Sequence, residues 1–284
     1  MNGPGVQIPP LPPIHKDDTV NKRLTIVIGF SFLLASCSSK SVDIQQTSTT
    51  IEDKTAISIT TRSVGSGKEA VTYYVAEVEL GDPRDMGSMV ARGHTSEVAR
   101  DAGAELAING DFFTYRNNGV IIRGGKVLIN KPKRDGMSIT SSGEMIIYKE
   151  KEISVESLNA AGVLNSFSFG PVLIDEWQIP EGIDDYYEVD TGRSINGRHP
   201  RTGICMVEKN KFVLIVVDGR SPGYSMGMTL GEFAELFASQ GCKTAYNLDG
   251  GGSSVMYSKG LVVNNPLGRG RERTNGDIIY VTSG

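Results

Sequence analysis

The chain has 284 residues, 39% of them hydrophobic, with 34 glycines, enough to bury a globular core in one large domain or two small ones. A formal net charge of −4 and a pI near 5.5 provide no basic field, which excludes nucleic acid as a partner. Residues 1–19 hold five of the twelve prolines and read as neither leader nor fold. Translation is expected to begin near Val20, or this stretch to be disordered.

Lys22 and Arg23 precede an apolar run, Leu24–Leu34, shorter than the ~20 residues a membrane-spanning helix needs. Residues 20–37 therefore read as a secretory signal peptide. It ends in Leu34-Ala35-Ser36-Cys37, which is similar to a bacterial lipobox. Lipidation of Cys37 would tether the chain to a membrane without a spanning helix and locate it in the cell envelope. The rival reading is a signal peptide with an incidental cysteine. Residues 38–56, rich in Ser and Thr, suit a flexible tether, and 57–284 form the folded domain.

Within that domain β-like runs predominate. Val71–Leu80 reads as a strand, Thr95–Ala104 as a short helix and Glu105–Ile108 as a strand. Met137–Tyr148 reads as a hairpin turning at Ser141-Ser142-Gly143, and Thr202–Val207 with Phe212–Val217 as another around Lys209-Asn210. The almost wholly apolar Phe212–Val217 suits a strand buried on both faces. Thr229 and Glu232 form a capping box, followed by Leu230, Phe233, Ala234 and Phe237 on one helical face, with Gly241 as the stop. Strands are then expected at Thr244–Leu248, Val255–Tyr257, Leu261–Val263 and Ile278–Val281. The fold class is α+β, a mixed β-sheet domain flanked by a few helices. Cys205 and Cys242 form either one disulfide or two buried thiols. No zinc pattern joins them to His94 and His199.

Three polar, glycine-marked turns follow apolar strands: Asn109-Gly110-Asp111, Asp218-Gly219-Arg220 and Asn247 to Ser254. Carboxylates at strand ends beside glycines are ordinary turn formers singly, but three together point to a crevice where loops converge. In the third turn, Gly250, Gly251 and Gly252 allow close backbone approach, and their amides with Ser253 and Ser254 suit anionic oxygens. No lysine follows, so it is not a Walker loop. Gly219-Arg220-Ser221-Pro222-Gly223 matches a nucleophile elbow in letters only, since Pro222 follows the serine and no histidine lies beyond His199. Arg193, Arg198, Arg201, Arg220, Arg269, Arg271 and Arg273 include candidates for holding phosphate through guanidinium forks. Arg201 and Arg220 adjoin strand ends; Arg193, Arg269 and Arg271 read as solvated loop charges.

Ala107–Phe113, Phe169–Ile174, His199–Ile204, Val216–Arg220, Gly227–Glu232 and Ala245–Met256 occur in that order, followed by Asn264-Asn265-Pro266 and Glu272-Arg273. Together they resemble the phosphodiester glycosidase domain family, whose bacterial members include exopolysaccharide-biosynthesis proteins. The resemblance implies hydrolysis of a sugar-1-phosphodiester, such as an N-acetylglucosamine-1-phosphodiester, to free sugar and a phosphorylated acceptor, with no cofactor required. It implies catalytic roles for Asp249, Asp218 and Glu232, the last alternatively only a helix cap. It implies substrate contacts from Asn109, Asp111, Arg201, Thr202, Arg220, Asn247, Gly250, Gly251, Gly252, Ser253 and Arg273. The family often carries glycine at the position of Asp111. Two rival readings are a non-catalytic phosphoglycan-binding surface lipoprotein and a metal-dependent phosphodiesterase in which Asp111, Asp218 and Asp249 hold a divalent cation.

Overall fold

A computed structural model describes residues 54–186 and 195–283. The leader, the tether up to residue 53, Cys37 and Arg193 lie outside the described residues. In chain order the first strands are β1 (Ala56–Val64), β2 (Val71–Glu79), β3 (Met86–Gly93), β4 (Leu106–Asn109), β5 (Gly119–Arg123) and β6 (Lys126–Lys131). Next come β7 (Asp135–Thr140), β8 (Met145–Lys149), β9 (Val163–Phe167), β10 (Val172–Ile174), β11 (Arg201–Glu208) and β12 (Lys211–Val217). The last are β13 (Thr244–Asn247), β14 (Met256–Ser258), β15 (Leu261–Val262) and β16 (Asn275–Val281). The helices are α1 (Thr95–Asp101), α2 (Phe113–Arg116), α3 (Val155–Ala160) and α4 (Leu230–Ser239).

A six-stranded sheet runs β1-β2-β12-β11-β13-β10, and a five-stranded sheet runs β15-β14-β4-β16-β3. A three-stranded sheet, β8-β7-β9, and the β5-β6 hairpin complete the set. The α+β class holds, and the described strand pairings are antiparallel throughout.

Side chains alternate across the six-stranded sheet with the period of two that a pleated strand imposes. Tyr74, Ala76, Ile204, Leu214 and Val216 enter one core, which the five-stranded sheet shares through Leu106, Ile108, Met256 and Ile279. Val75, Cys205, Val213, Ile215 and Val217 face the other way, against Leu230, Phe233, Ala234 and Phe237 of α4. The apolar run in β12 is thus buried on both faces. Thr229 caps α4, its side chain accepting from the Glu232 amide while the Glu232 carboxylate accepts from the Thr229 amide. Cys205 on β11 is disulfide-bonded to Cys242 just beyond α4, with Cα atoms 5.9 Å apart. α1 covers the outer side of the five-stranded sheet, packing Val98 and Ala99 on Ala107, Tyr257 and Ile278. No described helix is long and apolar enough to cross a membrane.

Candidate active site

The loops leaving β4, β12 and β13 and the segment entering β11 converge on a cleft of about 530 Å³. Among the described residues, Asp249 is the only carboxylate in its lining. Its backbone is fixed on both sides: the amide donates to the Gly110 carbonyl at 3.1 Å, and the carbonyl accepts from Asn109 Nδ2 at 2.5 Å. Asn109 is itself held by Thr202 Oγ1 at 2.8 Å and the Val255 amide at 3.1 Å, both donating to its Oδ1. Asn109 and Thr202 therefore sit behind the cleft and brace Asp249.

The Asp249 side chain is 15% exposed. Its Oδ2 accepts from Ser253 Oγ and from Arg273 Nη2, the latter at 3.1 Å, and Arg273 Nε also donates to Ser253 Oγ at 2.8 Å. Oδ1 has no hydrogen-bond partner among the described residues. One oxygen is locked and the other is presented. Burial pushes the carboxyl up to about 6, opposed by the Ser253 hydrogen bond and the Arg273 and Arg116 charges.

Further cations line the same cleft. Arg220 is exposed, adopts a left-handed φ of 58°, and has no carboxylate partner among the described residues. Its Nη2 lies 3.3 Å from His199 Nδ1. A guanidinium only donates, so Nδ1 accepts and the neutral imidazole carries its proton on Nε2. Burial, with the Arg201 and Arg220 charges, holds the His199 pKa below its ordinary value and keeps the ring neutral at neutral pH. His199 was not among the expected site residues; its place beside Arg201 in the HPRTGI segment was the available signal.

Several expected contacts find other partners. Arg201 is buried in the cleft wall and spends Nε on the Met228 carbonyl at 2.9 Å and Nη2 on those of Ile195 and Gly197 at 2.7 and 2.8 Å. It clamps the segment carrying His199, and burial pushes its pKa down to about 10. Asp218 lies outside the lining: its carboxylate accepts from Tyr224 Oη, Asn264 Nδ2 and the Asn265 amide at 2.8 to 2.9 Å. Glu232 likewise stays away, capping α4 and pairing with Arg198. The Asp111 carboxylate accepts from the Phe112 and Ser168 amides at 2.5 Å, so Asp111, Asp218 and Asp249 do not converge on one ligand set.

In the glycine turn, the Gly251, Ser253 and Ser254 amides donate to the carbonyls of Pro200, Gly250 and Gly251. The Gly250 and Gly252 amides have no acceptor among the described residues, which narrows the expected anion nest to two donors. A Cβ on Gly250 would meet the Pro200 carbonyl oxygen at 2.8 Å, and Gly251 holds a φ of +63°, so side chains are excluded there. Asn247, which lines the cleft, donates through Nδ2 to the Gly170 carbonyl at 2.8 Å, while its buried Oδ1 has no partner. Behind the first motif, Arg123 and Asp277 form a buried ion pair, and Asp277 also accepts from the Asp111 amide at 2.7 Å. Nothing in the local sequence marks that pair, whose members are separated by most of the domain.

The phosphodiester glycosidase family model matches residues 102–282, more than half of the chain. The chain belongs to that family. It is 34% identical over 140 residues to the SPbeta prophage-derived uncharacterized protein YomE of Bacillus subtilis (strain 168), covering 49% of this chain and 21% of that protein. It is 29% identical over 189 residues to the N-acetylglucosamine-1-phosphodiester alpha-N-acetylglucosaminidase of Bos taurus, covering 62% of this chain and 35% of the relative. The chain thus spans well under half the length of these curated relatives. Among solved structures, the zebrafish N-acetylglucosamine-1-phosphodiester alpha-N-acetylglucosaminidase catalytic domain superposes with a TM-score of 0.66 at 19% identity, covering 81% of this chain and 84% of that one. A hypothetical protein from Synechocystis superposes at 0.58 and 16% identity, covering 80% of this chain and 62% of that one. At such identities these matches speak for the fold, and the family domain accounts for most of the described residues.

Proposed function

We propose that this phosphodiester glycosidase-family domain hydrolyses the anomeric C–O bond of a sugar-1-phosphodiester, of the N-acetylglucosamine-1-phosphodiester type, releasing free sugar and a phosphorylated acceptor. The observation that carries the reading is the unpartnered Asp249 Oδ1, the one described carboxylate oxygen presented to a cleft whose other charged groups are arginines. Bond breaking makes the sugar oxocarbenium-like and the departing oxygen negative. Asp249 faces the developing positive charge. Arg220, the His199 Nε2–H and the free Gly250 and Gly252 amides face the phosphate. A phosphate leaves as a weak base, so fixed donors suffice where an ordinary glycoside needs a strong acid. Asn247 Oδ1 accepts from a sugar hydroxyl or acetamido N–H. Water adds its oxygen to the anomeric carbon and gives up a proton to solvent, and the phosphate departs with the bonding electron pair.

A non-catalytic phosphate-binding module has no use for a carboxylate aimed into its anion site, since that charge repels the ligand. The test is incubation with a sugar-1-phosphate diester in oxygen-18 water. Label in the released sugar supports the reading; label in phosphate makes the chain a phosphodiesterase, and absence of free sugar rejects glycosidase activity. The proposal includes attachment to the cell envelope through lipidated Cys37, supported by the lipobox-like residues alone. Cys37→Ser should move the protein from the membrane fraction to the soluble one, and unchanged partition would refute the anchor.

A further inference from the structure

One wall of the cleft continues outward as a column of cations and aromatic rings. Arg116 lies between Phe169 and Phe112, its guanidinium carbon 4.8 and 5.4 Å from the two ring centroids. Phe112 stacks on Tyr115 with centroids 4.6 Å apart and planes 20° from parallel. Arg92 covers the next position, 4.9 Å from the Tyr115 centroid. The inner members, Phe169, Arg116 and Phe112, line the cleft. The outer ones are open: Tyr115 is 46% exposed and Arg92 is exposed at the end of β3. Among the described residues Arg92 has no carboxylate partner, and donates to the Thr114 carbonyl at 3.1 Å.

A guanidinium stacked on a ring keeps its N–H groups pointing sideways in its own plane. Arg116 Nε and Nη1 are buried, so beyond the phosphate-holding groups of the cleft the column offers apolar ring edges and then the donor edge of Arg92. A chain that alternates phosphate with a carbon unit has the complementary order. The inner cation is close enough to the reacting centre for its charge to act on Asp249.

We propose that the Phe112–Tyr115–Arg92 end of the column is an acceptor-side subsite for a second phosphate, so that the preferred substrate is a phosphodiester-linked chain and not a single sugar phosphate diester. The inference rests on the cleft being the sugar-phosphodiester site described above. Phe112 and Tyr115 serve the carbons that adjoin the first phosphate, and Arg92 serves the phosphate beyond.

The test uses the complete protein and two probes: N-acetylglucosamine-1-phosphate methyl diester, and the same diester extended through glycerol to a second phosphate. Calorimetric affinity and kcat/KM are measured for the parent, Arg92→Ala and Tyr115→Ala, with Arg62→Ala on the exposed face of β1 as a charge control. The parent should bind the extended probe about tenfold more tightly than the short one, a margin within reach of one charged hydrogen bond. Arg92→Ala should erase most of that margin and Tyr115→Ala part of it, both leaving the short probe within about twofold. Equal parental affinity for the probes, equal loss on both, an equal effect of Arg62→Ala, or no binding of either would overturn the subsite. Failure to hydrolyse either probe would count against the glycosidase reading, while the affinity comparison would still judge the column.

Discussion

Asp249 concentrates the chemistry because one of its oxygens is immobilised and the other is offered to the cleft. Asp249→Asn should reduce kcat by two or more orders of magnitude with far-ultraviolet circular dichroism unchanged; near-parental turnover would remove it from the mechanism. With its carboxyl at about 6, kcat/KM should fall on the acid side of that pH as the carboxylate takes up a proton. The same shift has a stability consequence. Between the unfolded value of about 4 and the folded value the native state holds a proton that the unfolded chain has lost. Asp249's contribution is therefore fullest below about pH 4 and declines as pH rises through 6, so Asp249→Asn should gain in Tm relative to the parent over that interval. The two arginines should separate cleanly. Arg220→Ala, which loses a cation with no carboxylate partner, should lower kcat/KM with little change in Tm. Arg201→Ala removes hydrogen bonds to three backbone carbonyls, that of Met228 keeping the His199 amide, and should lower Tm as well as activity. Equal Tm values for the two variants would contradict the assignment of Arg201 as a clamp.

Among the elements, α4 was the most legible because its capping box and apolar stripe are local signals. Thr229→Ala should cost about 1 kcal/mol in denaturant unfolding while kcat stays close to parental, since Thr229 and Glu232 serve the helix end and Arg198. A large loss of kcat without loss of stability would return Glu232 to the reacting centre. The hairpins around Ser141-Ser142-Gly143 and Lys209-Asn210 were legible for the same reason, as alternation and turn residues lie within one short stretch. β3 and β6 were not. β6 is exposed at every position but one, and β3 alternates only weakly, so neither carries a hydrophobic period. β9 and the short β10 lie in segments whose pairing comes from sequence-distant partners, β7 and β13.

At the scale of the molecule, the disulfide ties β11 to the end of α4 on the face of the six-stranded sheet turned away from the cleft core. The bond spans 37 residues, for which the chain-entropy model gives a stabilisation of roughly 4 kcal/mol. Paired Cys205→Ser and Cys242→Ser changes should therefore lower the unfolding free energy by about that amount, with kcat near parental because neither sulfur lines the site. A fully retained denaturation midpoint would show that the bond adds nothing. The two-sheet core explains how loops after β4, β12 and β13 meet. β4 belongs to one sheet and β12 with β13 to the other, and their shared apolar layer brings the strand ends together.

The sequence alone determined the α+β class, α4, both central hairpins and the ordered motifs that carry the family, because propensity, capping and turn chemistry act over a few residues. It also singled out Asp249, Arg220, Asn247 and the triple glycine. Only the tertiary structure decided which of the marked residues face the cleft. Asp218, Glu232, Asn109 and Thr202 carry the same polar side chains as true site groups, but their hydrogen bonds are taken by partners up to 146 residues away. Whether a polar group braces a fold or meets a substrate depends on which of its atoms remain unpaired, and pairing is settled by packing between strands that the linear order keeps apart.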